Sequence, residues 1–181
     1  MKGVIFTHLQ EMVESQLGFS VWDDVIEACE LASEGIFVST LLYPDEELFA
    51  IVGALSEKTA IPADELVESF GFYLFPKLHE SIPASVFAPG SMWEMLDGLD
   101  SIIHMEVRKL DKHAETPRIT VKSSNENEKV LEYRSDKKLC RLAIGMLKSA
   151  AEVFNEKLSI SMPVCMHDGH DCCELVVTRN A

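Results

Sequence analysis

The chain of 181 residues is long enough for one domain with a sizeable core, or for two small subdomains that share one. At 47% hydrophobic and 25% charged residues it has the composition of an ordinary globular protein, and no apolar run reaches the length of a membrane span. A formal net charge of −14 argues against non-specific binding to nucleic acid or to anionic membrane surfaces, and suits a docking face for a basic partner. The opening MKGVIFTHLQEMV has no apolar signal core and no small-residue cleavage site, so the cytoplasm is the expected location.

The first half reads as helices. Ile5, Leu9, Met12 and Val13 recur at helical spacing in a first helix that ends near Gly18. Ser20 is the expected cap of a second, VWDDVIEACELA, stopping near Gly35. Phe37 to Leu42 form a short link to a third helix at about Asp45 to Ser56. Pro62 sits in the first turn of a fourth, with Asp64 and Glu65 favouring its N-terminus; it runs to about Leu74 in the aromatic cluster GFYLF. Two prolines within 81–89 mark a loop.

Ser91 then caps a helix that runs to about Leu110, GSMWEMLDGLDSIIHMEVRKL. Met92, Leu96, Leu99, Ile103 and Val107 form its apolar stripe. At roughly 100° per residue, His104 lies on the shoulder of that stripe, flanked by Asp100 and Arg108. From spacing alone it is a structural residue, a base or a metal ligand.

The second half changes period. RITVKSS and KVLEYRS, separated by NENE, predict a β-hairpin. Lys137 to about Lys157 predicts a long helix with Leu139, Leu142, Ala143, Met146, Ala150 and Phe154 on its buried side. LSISMPVCM and CCELVVT predict a second hairpin around the Asp-Gly region HDGHD. The fold class is α+β: a helical N-terminal part packed with a C-terminal part that holds a four-stranded antiparallel sheet and a long helix. No linker interrupts 1–181, so one domain is expected, with a helical subdomain at about 1–60 and a sheet subdomain at about 61–181.

Five cysteines, an odd number without an export signal, point to reduced thiols, metal ligands or redox sites rather than a disulfide framework. Cys29 reads as a core residue of the second helix. Cys165, His167, His170, Cys172 and Cys173 fall on one hairpin, a spacing able to bring ligands together for a tetrahedral zinc site. A reversible disulfide switch and ordinary cysteines are the competing readings.

In order, the MKG opening, Ser20-Val21-Trp22, Phe70-Gly71, the IIHMEVRKL helix, Thr116-Pro117-Arg118 and Tyr133-x-Ser135 resemble the haem-nitric-oxide/oxygen-binding (H-NOX) family, over essentially the whole chain. The family includes bacterial stand-alone proteins and the haem domain of soluble guanylate cyclases. The resemblance implies haem b between the helical and sheet halves, with His104 as the ligand of the haem iron. It implies that Pro117 packs against the haem; without it, Pro117 is simply a proline at a strand start. Tyr133, Ser135 and Lys137 match the Y-x-S-x-R element that binds the haem propionates. Lysine replaces arginine there, which keeps the charge and loses the bidentate fork. Ser135 is equally placed to cap the long helix.

On the distal side, the position of the tyrosine that steadies bound oxygen in some relatives is Leu142. Ile5, Leu74 and Met146 line the same pocket in the alignment. That implies ferrous haem that binds nitric oxide and carbon monoxide and forms no stable oxygen complex. Cys140, Cys165 and Cys173 match the cysteines of a zinc site found in some relatives, whose histidine is replaced here by Met162, a poor zinc ligand. His170, His167 or Cys172 would have to complete a structural zinc site, with His170 the leading candidate.

Two functions follow. The favoured one is a non-catalytic haem sensor in which nitric oxide weakens or breaks the iron–histidine bond, and a separate histidine kinase or cyclic-di-GMP enzyme reads the shift. The alternative is a zinc or thiol redox sensor built on the C-terminal cysteines. An enzyme ranks third, because no nucleophile elbow or phosphate loop accompanies the Cys and His residues.

Overall fold

A computed structural model of the chain describes residues 1–110 and 115–180. Four helices come first: α1 (Gly3–Gln16), α2 (Phe19–Ala28), α3 (Asp45–Thr59) and α4 (Ala63–Ser81). Gly18, not Ser20, stands at the N-cap of α2, since its φ of 100° is a turn that glycine adopts without strain. Cys29 lies just past the end of α2 and is half-buried, so the expectation of a core cysteine is corrected. Pro62 is the N-cap of α4 rather than part of its first turn. That helix passes its aromatic cluster and Pro76 to end at Ser81, where the pattern expected an end near Leu74.

Ser91 caps as expected: its hydroxyl accepts the Glu94 N–H at 3.2 Å and starts α5 (Met92–Gly98). The helix then widens into a π-helical segment, Leu99–His104, before α6 (Met105–Leu110). That turn displaces the apolar stripe. Met92 and Leu96 are buried, Leu99 and Ile103 half-buried, and Val107 is exposed, because a wider turn rotates every later side chain out of phase.

The sheet holds β1 (Arg118–Ser124), β2 (Glu128–Arg134), β3 (Leu158–Val164) and β4 (Cys173–Arg179), all antiparallel, in the order β1-β2-β4-β3. Each predicted hairpin forms, and the pairing of β2 with β4 joins them. Alternation on β2 and β4 turns Leu131, Tyr133, Cys173, Leu175 and Val177 inward. α7 (Cys140–Val153) covers that face with Cys140, Ile144, Leu147 and Ala151. Its buried side is therefore rotated from the predicted one, and Leu142, Ala143 and Met146 are half-buried. The rotation has a cause on the opposite side of the helix, where α7 crosses α4. A Cβ on Gly71 would come within 2.1 Å of the Leu142 carbonyl oxygen, and one on Gly145 within 1.9 Å of the Glu68 carbonyl oxygen. Two glycines bring the backbones together.

Two apolar clusters result. One is helical and gathers Phe6, Leu9, Trp22, Ile51 and Leu74; the other lies between α5, α7 and the sheet. α4 serves both, through Leu74 and Phe75.

α5 is fastened to the sheet around Trp93. Its indole N–H donates to the Asn125 carbonyl at 2.9 Å, and the Arg179 guanidinium lies 4.0 Å from its ring centre. Glu156 accepts from the Met92 N–H at 2.9 Å and from Arg179 at 2.8 Å. Beneath them the ammonium of Lys129, 1% exposed, meets Asp97 and, at 2.9 Å, the Ser124 hydroxyl. Asp97→Ala deprives a buried ammonium of its anion and should lower stability by about 2 kcal/mol. Adding Lys129→Met to Asp97→Ala should recover most of it, read from denaturant midpoints.

Candidate haem-binding site

His104 closes the π-helical segment, a kind of turn that recurs at functional sites. Its side chain is 14% exposed, and Nδ1 lies 3.4 Å from an Asp100 carboxylate oxygen one turn earlier. Arg108 lies 3.5 Å from the same oxygen and donates to the Thr116 hydroxyl at 2.6 Å, which ties this helix to the residue before Pro117. Burial pulls the imidazole pKa below its ordinary value, further helped by the Arg108 charge, while Asp100 and Pro117 oppose the shift. The ring is therefore neutral at pH 7, the form whose nitrogen lone pair ligates iron.

Tyr133 is buried at the end of β2, with the Ser135 side chain and the Leu139 backbone beside its hydroxyl. Burial pushes its pKa up to about 12, so the phenol remains a donor. Ser135 does not cap α7, which starts at Cys140 behind Leu139; its hydroxyl accepts the Lys137 N–H at 3.3 Å. The Lys137 ammonium meets two carboxylates, Asp45 at the start of α3 and Glu115 at 2.8 Å. Asp45 also takes the Met1 amino group at 2.7 Å. Although partial burial works the other way, Lys137 and the N-terminus hold Asp45 below the usual carboxylate range.

Ile5, Leu74 and Leu142 fall in one cluster, the helical one, with Leu74 1% exposed. Met146, one turn along α7, packs against the other cluster. None of the four can donate a hydrogen bond. The chain has three tyrosines, and each has a partner of its own. Tyr43 accepts from the Val38 N–H and Tyr73 lies under Lys77, both packed against the helical cluster, and Tyr133 lies beside Ser135.

These residues fit haem. A neutral imidazole with a carboxylate behind it is a typical iron-ligand arrangement, in which the second partner orients the ring. A phenol, a hydroxyl and an ammonium together form a donor set for carboxylates, and Lys137 already holds two. Three residues of this site escaped the sequence reading. Asp45 and Glu115 look like ordinary surface acids in sequence, and Gly71 was noticed only as part of a motif.

At the third locus the sulfurs of Cys140, Cys165 and Cys173 all lie within 4.8 Å of one another. Neither candidate histidine joins them. The His167 ring is 2.9 Å from the Lys138 carbonyl, and His170 is exposed on the turn before β4.

No helix among the described residues is long and apolar enough to cross a membrane. The haem-NO-binding family model matches residues 2–162. An H-NOX protein from S. oneidensis, solved in its Fe(II)NO state, is 34% identical over the whole of both chains, with a TM-score of 0.92. The unliganded Fe(II) H-NOX protein from K. algicida is 28% identical, covering 100% of this chain and 97% of that one, also with a TM-score of 0.92. This chain belongs to the haem-NO-binding family, whose members are haem-based gas-sensing domains rather than enzymes.

Proposed function

We propose that the protein senses nitric oxide at a ferrous haem b held by His104, does not retain oxygen, and passes the signal to a separate protein. The observation that carries this reading is that Ile5, Leu74 and Leu142 are all apolar and fall in one cluster, while the two tyrosines packed against that cluster meet the Val38 N–H (Tyr43) and the Lys77 ammonium (Tyr73). Bound oxygen draws charge from the iron and needs a donor to steady it; nitric oxide needs little such help. The related S. oneidensis protein has been solved with NO and with CO on its iron.

The haem would supply the iron that binds the gas, with His104 as the residue that would hold that iron. The rest is the work of the chain. Tyr133, Ser135 and Lys137 would hold the propionates by hydrogen bonds and charge, and Pro117 would pack against the haem. Asp100 orients His104 and keeps its proton on Nδ1. α5 is anchored by Ser91, Glu156 and the Arg179–Trp93 contact, so release of His104 frees the π-helical segment and α6 while α5 stays with the sheet. That makes a two-state element biased by a ligand. The recipient is a histidine kinase or a cyclic-di-GMP enzyme in the same compartment, expected to be the cytoplasm.

The test is an absorption spectrum of the reduced protein. In air it should show no lasting oxygen complex, and with NO it should shift at once; a stable oxygen spectrum would defeat the proposal. Leu142→Tyr places a phenol donor in the pocket and should give a longer-lived oxygen complex, worth roughly tenfold or more in retention for one added hydrogen bond.

A further inference from the structure

We propose that Cys140, Cys165 and Cys173 form a trigonal three-thiol site for trivalent arsenic rather than a zinc site. The three sulfurs come from different elements: the first residue of α7, the residue before the 3-10 turn Met166–Asp168, and the first residue of β4. The Cys165 sulfur lies 3.9 Å from each of the other two. Two backbone groups orient them, the Met166 N–H on the Cys173 sulfur at 3.2 Å and the His167 N–H on the Cys165 sulfur at 3.4 Å. This is a built, convergent set of soft donors.

Its surroundings decide what it takes. Cys140 and Cys173 are wholly buried and Cys165 is 6% exposed. The side chains buried around them, among them Leu131, Tyr133, Ile144, Leu147 and Leu175, carry no charge. Zinc prefers four ligands in a tetrahedron, and among the described residues none joins the three sulfurs as a fourth: Cys172 stands outside the group, His167 is engaged, His170 is exposed, and Met162 offers only a thioether. Three thiolates on Zn²⁺ would also leave a net negative charge among apolar side chains, with a large desolvation cost.

Trivalent arsenic avoids both difficulties. Arsenous acid, As(OH)3, reacts with three thiols to give As(SR)3 and three waters. Three As–O and three S–H bonds break, three As–S and three O–H bonds form, and each sulfur's proton leaves in a water molecule. No electron is transferred and the product is neutral, so it suits a buried pocket. A three-coordinate centre also needs no fourth ligand. Cys140 begins the helix that carries Leu142 and Met146, so an occupied site staples α7 to both ends of the β3–β4 connection, beside the gas pocket.

The test uses the full haem-loaded chain under anaerobic, reducing conditions, with sodium arsenite and, separately, zinc chloride as probes. Mass spectrometry should show one arsenic gained and three hydrogens lost. Alkylation followed by peptide mapping should find Cys140, Cys165 and Cys173 protected, with Cys29 and Cys172 modified. Cys165→Ser should weaken arsenite retention at least about 100-fold, since two thiols lose the third's effective concentration. Cys172→Ser should leave it unchanged, which shows that the effect does not come from handling or misfolding. Zinc should wash out on dialysis. One equivalent of zinc retained in competition with arsenite, protection of only two thiols, or protection that includes Cys172 would each overturn the proposal.

Discussion

His104→Gly should emerge from purification with most of its haem lost, and free imidazole added during reconstitution should restore the ferrous spectrum. On the proposed reading, glycine removes the iron's protein ligand and leaves a ring-shaped gap that imidazole can fill, so the rescue separates lost ligation from lost folding. Asp100→Ala should act more mildly, with a loss of about 10-fold in haem affinity, the usual cost of removing the partner that orients a ligating histidine. Acidity supplies a second readout. The pKa of His104 is held below its ordinary value, so the folded state binds its proton later than the unfolded chain does. The neutral ring, the form able to ligate, should therefore persist to lower pH than an ordinary histidine would. Haem release that begins at or above the ordinary histidine range would contradict the geometry.

Gly145→Ala should be the most damaging single methyl in the protein. The added carbon would stand 1.9 Å from the Glu68 carbonyl oxygen and 2.8 Å from the Phe72 nitrogen, and neither is a side chain that can swing away. α4 and α7 must separate, which should cost about 3 kcal/mol or more, as overpacking against backbone does. For a domain of this size that is roughly 6–12 °C in Tm. Gly71→Ala, at 2.1 Å from the Leu142 carbonyl oxygen, should behave alike and also move a distal residue. A thermal melt within about 2 °C of the parent's, equivalent to 0.5–1 kcal/mol, would show that the crossing is slacker than its distances imply.

Much of the fold was legible because its signals are local. The Ser91 cap, the alternation of β2 and β4, and the turns that end both hairpins each depend on neighbours within a few residues. The misplaced boundaries have equally specific reasons. Ser20 was credited with a cap that Gly18 supplies through its backbone. The phase of α7 was read for one buried side, whereas the helix is buried on two. The stripe from Met92 to Val107 was read at one pitch, and a π-helical turn inside it changes the pitch.

The sequence by itself determined the element types, the antiparallel sheet and, through motif resemblance, the family. It could do so because periodicity, capping and motif order are written along the chain. Only the tertiary structure decided which charges meet Lys137, which sulfurs converge, and how closely α4 approaches α7. Asp45 lies 92 residues from Lys137, and Cys140 lies 25 from Cys165. No local rule connects residues that far apart; the packing of the two cores does. That packing also gave His104 its buried, neutral setting between Asp100 and Pro117, which spacing along one helix could not supply.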